Sequence, residues 1–289
     1  MSYVETSDSL IHTFLPKRKD DSRKGENGRV LVVGGSRVYH GAPYHAARGA
    51  QSAGVDLVYV AVPATVSLPI RSMSADLIVY PLPDQKLTKG CARRLIKWIP
   101  GVDSAVIGPG MEGVDPEALQ YLVTELQSMG AKLVLDAGAI IPGFKLTSFE
   151  GVAFTPHAGE FKRLTGVELP RQLEERVPLV AREASKLGCV ILQKGHGDVI
   201  TNGSATYVSR TGCSAMTVGG TGDVLAGVVA GFCALGVQVL KASVLASHAN
   251  GVAGTLARSR YGNRITASDL YDLLRGYFAS FENVGSGNK

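Results

Sequence analysis

The sequence predicts one α/β domain with a mostly parallel central sheet and helices on both faces. Short continuous runs of Val, Ile and Leu alternate with helix-forming segments, as in sheets that are covered on both sides. Of the 289 residues, 45% are apolar, so the chain can bury a sizeable core and does not have the composition of a disordered protein. No linker rich in Pro, Gly or Ser divides the interior. We therefore predict a single domain over residues 1–289, in which 1–14 form an N-terminal extension and 285–289 a frayed tail.

The predicted strands are short apolar runs bounded by turns. In chain order they lie at 29–33, 55–62, 77–80, 104–107, 132–135, 152–154, 189–193, 198–201 and 205–208. Asn202 and Gly203 separate the last two strands, and this dipeptide is typical of a tight hairpin turn. We therefore expect an antiparallel piece beside the parallel strands.

The predicted helices lie between these strands and at the end of the chain. In chain order they are at 42–53, 116–129, 172–187, 224–235 and 266–281. Asp115 is the expected N-cap before Pro116 at the first helical position. Pro178 is expected to interrupt or restart the third helix. Thr266 and Asp269 have nearly the spacing and residue types of a capping box at the start of the last helix.

Charge and cysteine content narrow the class of protein. The formal net charge is +5, and one tryptophan with scattered tyrosines does not supply the aromatic side chains of a nucleic-acid groove. We expect no nucleic-acid partner, whereas a mild positive charge suits a small polyanion such as a nucleotide.

The four cysteines are far apart in the sequence, which indicates free thiols in a reducing, cytoplasmic compartment. The polar first nine residues do not have the pattern of a signal peptide.

One long apolar segment requires a choice between a membrane helix and a core helix. Between residues 211 and 240 the only charged residue is Asp223. The length alone is compatible with a membrane span. Seven glycines in this segment and a carboxylate near its middle favour a buried helix of a globular domain instead. We therefore expect no membrane association.

The strongest functional signal is the segment 219–223, Gly-Gly-Thr-Gly-Asp, which opens a predicted helix. Its glycines leave backbone N–H groups exposed at a helix N-terminus, so we predict an anion hole at Gly220 and Gly222. Asp223 would then be a base beside the phosphate that its neighbours hold. The alternative is that Asp223 only interacts favourably with the helix dipole. No Gly-Lys-Ser/Thr follows, which excludes a Walker loop, and Leu225 replaces the third glycine of a dinucleotide fingerprint.

A second glycine-rich turn has the spacing G-x-G-x-x-G at residues 108–113, after a predicted strand. Pro109 removes an N–H donor from this turn, and the following helix begins only at Asp115, beyond the third glycine. The turn therefore does not fit an NAD-binding Rossmann unit. We predict that it contacts a ligand through its backbone.

The segment 155–160 follows the predicted strand 152–154 and contains His157 and Glu160 three residues apart. One helical turn would place both side chains on the same face. The imidazole would then meet a substrate, and the carboxylate would lie near a hydrated Mg²⁺. The alternative is N-terminal capping by the first residue and an ordinary surface position for the glutamate.

Two further turns are weaker signals. Segment 194–198 connects two predicted strands, where Gly195 and Gly197 allow a sharp turn and Lys194 is suited to a phosphate as a point charge. A plain β-turn is the alternative. The loop at 34–43 follows the first strand and is small and polar, as a site for ribose or nicotinamide would be.

Together these turns resemble those of the ADP-dependent NAD(P)H-hydrate dehydratases, which belong to the ribokinase-like superfamily. The resemblance extends from about residue 15 to 281 and implies a ribokinase-like three-layer sandwich. It rests on five motifs in family order, namely Gly-Gly-Ser at 34–36 with Tyr-x-Gly-Ala-Pro at 39–43, Gly-Pro-Gly at 108–110, Thr-Pro-His-x-Gly-Glu at 155–160, Lys-Gly-x-Gly-Asp at 194–198 and the glycine-rich segment at 219–227.

The resemblance implies roles for the residues at the matching positions. The family's contacts to the hydrated dinucleotide correspond to Ala42, Gly110, His157 and Asp223. Its contacts to the adenine nucleotide correspond to Lys194, Gly195, His196, Gly197, Asp198 and Gly222. Asp223 would be the catalytic base. In the superfamily an Asn-x-x-Glu motif organises Mg²⁺, and here His157 stands at the Asn position while Glu160 is retained.

The implied reaction is the dehydration of the (S)-hydrates of NADH and NADPH, with ADP as phosphoryl donor, Mg²⁺ as cofactor, and AMP and phosphate as products. The resemblance also implies a homotetramer and an NAD(P)H-hydrate epimerase as functional partner. One rival is an ATP-dependent kinase of a small alcohol such as a hydroxymethylpyrimidine or hydroxyethylthiazole, and another is a nucleotide sensor without activity. His157 in place of Asn, and the loop 39–43, favour the dehydratase.

Overall fold

A computed structural model describes residues 2–144 and 150–282, so the predicted tail at 285–289 lies outside the described residues. Within them the chain forms one ten-stranded sheet in the order β1-β10-β9-β8-β7-β6-β5-β2-β3-β4. The strands are β1 (Val4–Glu5), β2 (Arg29–Val33), β3 (Leu57–Pro63), β4 (Ile78–Leu82), β5 (Ser104–Ile107), β6 (Lys132–Leu135), β7 (Val152–Phe154), β8 (Val190–Gln193), β9 (Asp198–Thr201) and β10 (Thr206–Ser209). Only β9 runs antiparallel to its neighbours among these strands, as the hairpin signal predicts.

Helices cover both faces of the sheet, which gives the three layers expected of a ribokinase-like fold. They are α1 (Asp8–Phe14), α2 (Gly41–Ser52), α3 (Ala64–Met73), α4 (Lys89–Trp98), α5 (Pro116–Ser128), α6 (Ala158–Thr165), α7 (Leu173–Leu187), α8 (Thr221–Ala234), α9 (Val239–Tyr261) and α10 (Leu270–Glu282). Helices α4 to α7 pack on one face, and α1 to α3 with α8 to α10 on the other.

Alternation along a central strand assigns its side chains to two separate cores. In β2, Val30 and Val32 belong to the core under α2 and α8, and Leu31 and Val33 belong to the core under α4 and α5. All four are fully buried. A strand that is buried on both faces needs a continuous apolar run, which is the pattern that the sequence shows.

Helix α7 differs from its prediction because it continues through Pro178. The missing N–H of this proline would have bonded to the carbonyl of Glu174, in the first turn of the helix. Both residues are exposed, so water can hydrate that carbonyl and the helix need not break. The interruption predicted at Pro178 is therefore wrong.

Several elements were not anticipated from the sequence. Residues 4–14, predicted to be an extension, supply β1, which pairs with β10, and α1, which packs on α9. Ser7 caps α1 through its side chain, which accepts a hydrogen bond from the Leu10 amide at 3.3 Å. Helix α9 was also missed. It is rich in small residues and buried around most of its circumference, so it lacks the amphipathic period that identifies a surface helix.

Helices α2 and α8 cross with their backbones in contact, and glycine makes this possible. A β-carbon on Gly227 would lie 1.9 Å from the carbonyl oxygen of Ala46. A β-carbon on Gly49 would lie 2.2 Å from the carbonyl oxygen of Val224. Neither oxygen is on a flexible side chain, so the two helices can approach this closely only where the side chains are absent.

The apolar segment around Asp223 forms α8, in which nearly every side chain is buried in the core. Among the helices of residues 2–144 and 150–282, none is both long enough and apolar enough to cross a membrane. The four cysteines are free thiols, as the sequence predicts.

Candidate functional site

The candidate site lies where the parallel strands end, at the carboxyl edge of the sheet. Asp136 follows β6, Thr155 follows β7 and Lys194 follows β8. The Thr155 hydroxyl donates to Asp136 Oδ1 at 2.7 Å, and the Lys194 amide donates to the Pro156 carbonyl at 2.8 Å. These contacts join three successive turns into one continuous surface, as parallel strands require.

The segment 219–223 forms the N-terminus of α8 and faces this surface. Gly220 is the N-cap, with φ of 96°, a left-handed conformation that strains other residues. Thr221, Gly222 and Asp223 form the first helical turn, where amide N–H groups have no acceptor within the helix. A β-carbon on Gly222 would lie 3.3 Å from Lys194 Nζ, so the ammonium group is adjacent to this turn. The start of α8 therefore combines free N–H donors with a lysine, an arrangement suited to phosphate.

Lys194 holds together a cluster of carboxylates. Its Nζ lies 2.9 Å from Asp136 Oδ1 and 3.8 Å from Glu160 Oε2. The side chains of Asp136 and Glu160 are 2% and 9% exposed, so the ammonium group offsets buried negative charge. The nearby carboxylates raise the pKa of Lys194 despite its burial.

Asp223 is half-buried beside this cluster, and its carboxyl group is a weak acid. Burial is the main cause and raises its pKa to about 8, and the Asp136 carboxylate contributes in the same direction. The Lys194 ammonium acts in the opposite direction. A pKa in this range is typical of a group that takes up and releases a proton near neutral pH.

His157 and Glu160 cap the N-terminus of α6. His157 is the N-cap of α6, and its Nδ1 accepts from the amides of Gly159 and Glu160 at 3.0 and 3.2 Å. The Glu160 carboxylate accepts from the His157 amide at 2.9 Å, which completes a capping box. Capping occupies Nδ1, Nε2 lies 3.5 Å from Glu160 Oε1, and the His157 side chain is 62% exposed. Glu160 is buried, so it is not the surface residue of the alternative interpretation.

The loop 194–198 is held by a residue that sequence analysis missed. Arg176 of α7 is buried, and its Nη2 donates to the carbonyls of His196 and Gly197 at 2.7 and 2.9 Å. Within the loop, the Gly195 amide donates to Asp198 Oδ1 at 2.9 Å. Arg176 is distant in sequence and follows no recognisable motif, so only the fold reveals its position.

Ala42 and Gly110, both predicted substrate contacts, are neighbours in space. A β-carbon on Gly110 would lie 3.0 Å from Ala42 Cβ and 2.6 Å from the Tyr39 carbonyl. The Gly35 amide donates to the Pro109 carbonyl at 2.8 Å, so the loops after β2 and β5 are directly linked. Tyr39 is exposed to solvent. His157, by contrast, lies with Lys194 at the turn after β7.

Comparison with known proteins identifies the family to which this site belongs. A family model described as NAD(P)H-hydrate dehydratase matches residues 30–275. The chain belongs to the NAD(P)H-hydrate dehydratase family. An ADP-dependent (S)-NAD(P)H-hydrate dehydratase of Cenarchaeum symbiosum is 46% identical over 95% of this chain and 96% of its own length. A bifunctional NAD(P)H-hydrate repair enzyme of Pyrobaculum aerophilum is 42% identical over 89% of this chain and 52% of its own length.

Solved structures of the NAD(P)H-hydrate dehydratase family share the fold. An ADP/ATP-dependent NAD(P)H-hydrate dehydratase from Bacillus subtilis, co-crystallised with ATP and Mg²⁺, has a TM-score of 0.84 at 25% identity and covers 97% of this chain and 99% of that chain. A hydroxyethylthiazole kinase from Pyrococcus horikoshii, the class of the rival prediction, has a TM-score of 0.61 at 17% identity, covering 88% of this chain and 89% of that chain. The second likeness shows the fold alone, and the small-alcohol kinase is not favoured.

Because the pKa of Asp223 is raised, we expect the Asp223→Asn variant to gain stability relative to wild type as the pH rises. A carboxyl group with a pKa of about 8 when folded and 3.8 in the reference state favours folding most at low pH. That contribution is lost as the pH rises from about 4 to about 8, because the folded protein resists ionisation. Asparagine has no such dependence. We expect the Tm difference between Asp223→Asn and wild type to grow from pH 5 to pH 8 and then level off.

The measurement is calorimetry of both proteins between pH 5 and pH 9. The control is Asp115→Asn, which also removes a carboxylate but keeps a good N-cap on the exposed start of α5. A Tm difference for Asp223→Asn that stays constant across this range, as for the control, would contradict the assigned pKa.

Proposed function

We propose that this chain catalyses the ADP-dependent dehydration of the (S)-hydrates of NADH and NADPH, with AMP and phosphate as products. The observation that carries the proposal is the position of Asp223. Its half-buried carboxyl group stands in the first turn of α8, beside free amide donors and the Lys194 ammonium group. A base next to a phosphate site is what transfer of a phosphoryl group to a hydroxyl requires.

The reaction has two parts. In the first, Asp223 takes the proton of the hydroxyl at C6 of the hydrated ring while that oxygen bonds to the β-phosphorus of ADP, and the bond to the bridging oxygen breaks to release AMP. In the second, the lone pair of the ring nitrogen expels phosphate from C6, and loss of a ring proton restores the dihydronicotinamide. The amides of Gly220 and Gly222 would stabilise the charge on the phosphoryl oxygens.

The proposed ligand positions follow from the two groups of turns. We assign the hydrated dinucleotide to Ala42, Gly110 and the exposed side chain of His157. We assign the adenine nucleotide to the loop 194–198 and Gly222, supported by the buried Arg176 that fixes this loop. Asp223 would then lie between the two ligands, where the phosphoryl group is transferred.

A magnesium ion fits this site only if phosphate oxygens supply most of its ligands. The described residues contain no group of three or more His, Cys, Asp or Glu side chains suited to a metal. Glu160 already accepts from the His157 amide and lies near Lys194, so it suits contact with Mg²⁺ through water. When bound, Mg²⁺ would neutralise part of the charge on the transferred phosphoryl group.

Partners are proposed on the same basis. Bifunctional repair enzymes match this chain over about half of their own length. We therefore propose an NAD(P)H-hydrate epimerase as a functional partner, which would supply the (S)-hydrate from its epimer. The homotetramer implied by the family resemblance stays a prediction.

The test combines hydrated NADH with the purified protein, Mg²⁺ and either ADP or ATP. We expect the absorbance of reduced nicotinamide to return, with one AMP and one phosphate formed per NADH when ADP is the donor. A reaction without nucleotide controls for spontaneous dehydration. Phosphorylation of hydroxymethylpyrimidine or hydroxyethylthiazole by ATP, with no return of absorbance, would favour the kinase. Nucleotide binding with no turnover of any of these compounds would favour a sensor.

A further inference from the structure

A histidine on α2 stands beside the anion hole and has no assigned role. His45 is half-buried, and its Nε2 would lie 3.0 Å from a β-carbon on Gly220 and 3.8 Å from one on Gly41. Gly220 begins the phosphate-binding turn, and Gly41 precedes the predicted substrate contact Ala42. The imidazole therefore lies between the two ligand positions.

We propose that His45 is a third donor of the anion hole, whose Nε2–H group binds an oxygen of the phosphoryl group, and that Tyr271 fixes its orientation. This proposal rests on the function proposed above, because it concerns the same phosphoryl group. It adds a side chain from another helix to the amides of Gly220 and Gly222.

A hydrogen bond between Tyr271 and His45 bears on which ring nitrogen of His45 carries the proton. Tyr271 Oη lies 2.5 Å from His45 Nδ1. Burial raises the pKa of the phenol to about 12, so the hydroxyl keeps its proton at neutral pH. We assign the proton of this hydrogen bond to Tyr271, which then donates to Nδ1 of His45.

The other nitrogen of His45 then carries hydrogen and points to the site. Burial lowers the pKa of His45, so the ring is neutral at neutral pH and has one N–H group. With Nδ1 accepting from Tyr271, that group is Nε2–H. Nε2 makes no hydrogen bond to any residue of the described chain. A donor without a protein partner at the start of α8 is available to a ligand oxygen.

Tyr271 is held firmly enough to act as a positioning residue. The Arg48 guanidinium lies 5.3 Å from the centre of its ring. Its backbone carbonyl accepts from the Ser52 hydroxyl at 3.3 Å. Both partners are on α2, the helix that carries His45, so Tyr271 and His45 keep a fixed relation to each other.

The alternative is that His45 only fills space in the aromatic cluster with Tyr44 and Tyr271. Two substitutions separate these roles. His45→Phe keeps an aromatic ring but removes the donor, whereas His45→Gln removes the ring but places an amide donor near the position of Nε2. Tyr44→Phe is the control, because the Tyr44 hydroxyl contacts only the Met73 carbonyl, at 3.4 Å, among the described residues.

The readouts are kcat for hydrate dehydration and the affinity for inorganic phosphate in the presence of saturating AMP. We expect His45→Phe to lower kcat by about 10²-fold, the effect of losing one oxyanion donor, and to weaken phosphate binding by about tenfold. His45→Gln should recover most of both. Tyr271→Phe should lower both less than His45→Phe does, and Tyr44→Phe should change neither. The Tm of each variant identifies loss of folding.

Two outcomes would overturn the proposal. In the first, His45→Phe retains kcat and phosphate affinity within twofold of wild type. In the second, Gln and Phe are equally harmful, which indicates packing. If His45→Phe does not fold, Tyr271→Phe decides in its place, and unchanged phosphate affinity in that variant counts against the proposal. If wild type does not act on the hydrates, the proposed function fails, and phosphate binding with AMP still tests His45.

Discussion

Asp223→Asn is expected to bind ADP with the affinity of wild type and to lose hydrate dehydration by about 10²- to 10⁴-fold in kcat, as removal of a general base does. Asparagine has nearly the same shape, so the first turn of α8 keeps its amide donors. Without the carboxylate, the hydroxyl of the substrate has no acceptor for its proton when the phosphoryl group arrives. Steady-state kinetics for turnover and calorimetric titration for ADP check the two halves of this expectation.

A pH profile of the wild-type enzyme provides a second check on Asp223. The base acts only when it has lost its proton, and its pKa is raised to about 8 in the protein without ligands. We therefore expect kcat/KM to rise with pH up to about 8 and then to level off.

The matched control for Asp223→Asn is Asp115→Asn, at an exposed N-cap, which should keep full activity. Full activity of Asp223→Asn would refute the mechanism.

Lys194→Met is expected to lower the free energy of unfolding by about 3–5 kcal/mol, which is the usual effect of removing one partner from a buried ion pair. Its ammonium group lies 2.9 Å from Asp136 Oδ1 and 3.8 Å from Glu160 Oε2. The variant leaves buried carboxylates without a compensating charge. Because these carboxylates face the phosphate site, ADP binding should also weaken strongly. Denaturant unfolding and nucleotide titration measure the two effects.

The matched control for this substitution is Lys162→Met. Lys162 pairs with Glu168 at 2.8 Å, but both side chains are exposed to solvent, so we expect a change of no more than about 0.5 kcal/mol. A double variant, Lys194→Met with Asp136→Asn, should recover part of the lost stability because it removes one uncompensated charge. Equal stability of Lys194→Met and Lys162→Met would show that the cluster does not depend on the buried ammonium group.

Strands could be predicted from the sequence more closely than helices. β2, β5, β6 and β7 match their predicted bounds, because a strand buried on both faces requires a mostly apolar run. β9 also matches, next to the predicted hairpin turn. Helix α9 has no such signature. It is covered by neighbours on most sides, and its alanines and serines show no period that predicts one buried face.

The site residues in turns that follow strands could also be predicted from the sequence. Parallel strands bring their carboxyl ends together, so Lys194 and the turn with His157 become neighbours although they are far apart in sequence. Arg176 and His45 were not accessible, because each acts from within a helix on a partner that only the tertiary fold supplies. A single arginine or histidine on a helix carries no local signal of that role.

The close crossing of α2 and α8 also bears on how the two reactants are aligned. Gly227 lies one turn beyond Asp223, and Gly49 lies two turns beyond Ala42. With no side chains between the backbones, neither helix can tilt without carrying the other along. In the proposed reaction, this helix crossing would set the spacing between the attacking oxygen and the phosphorus.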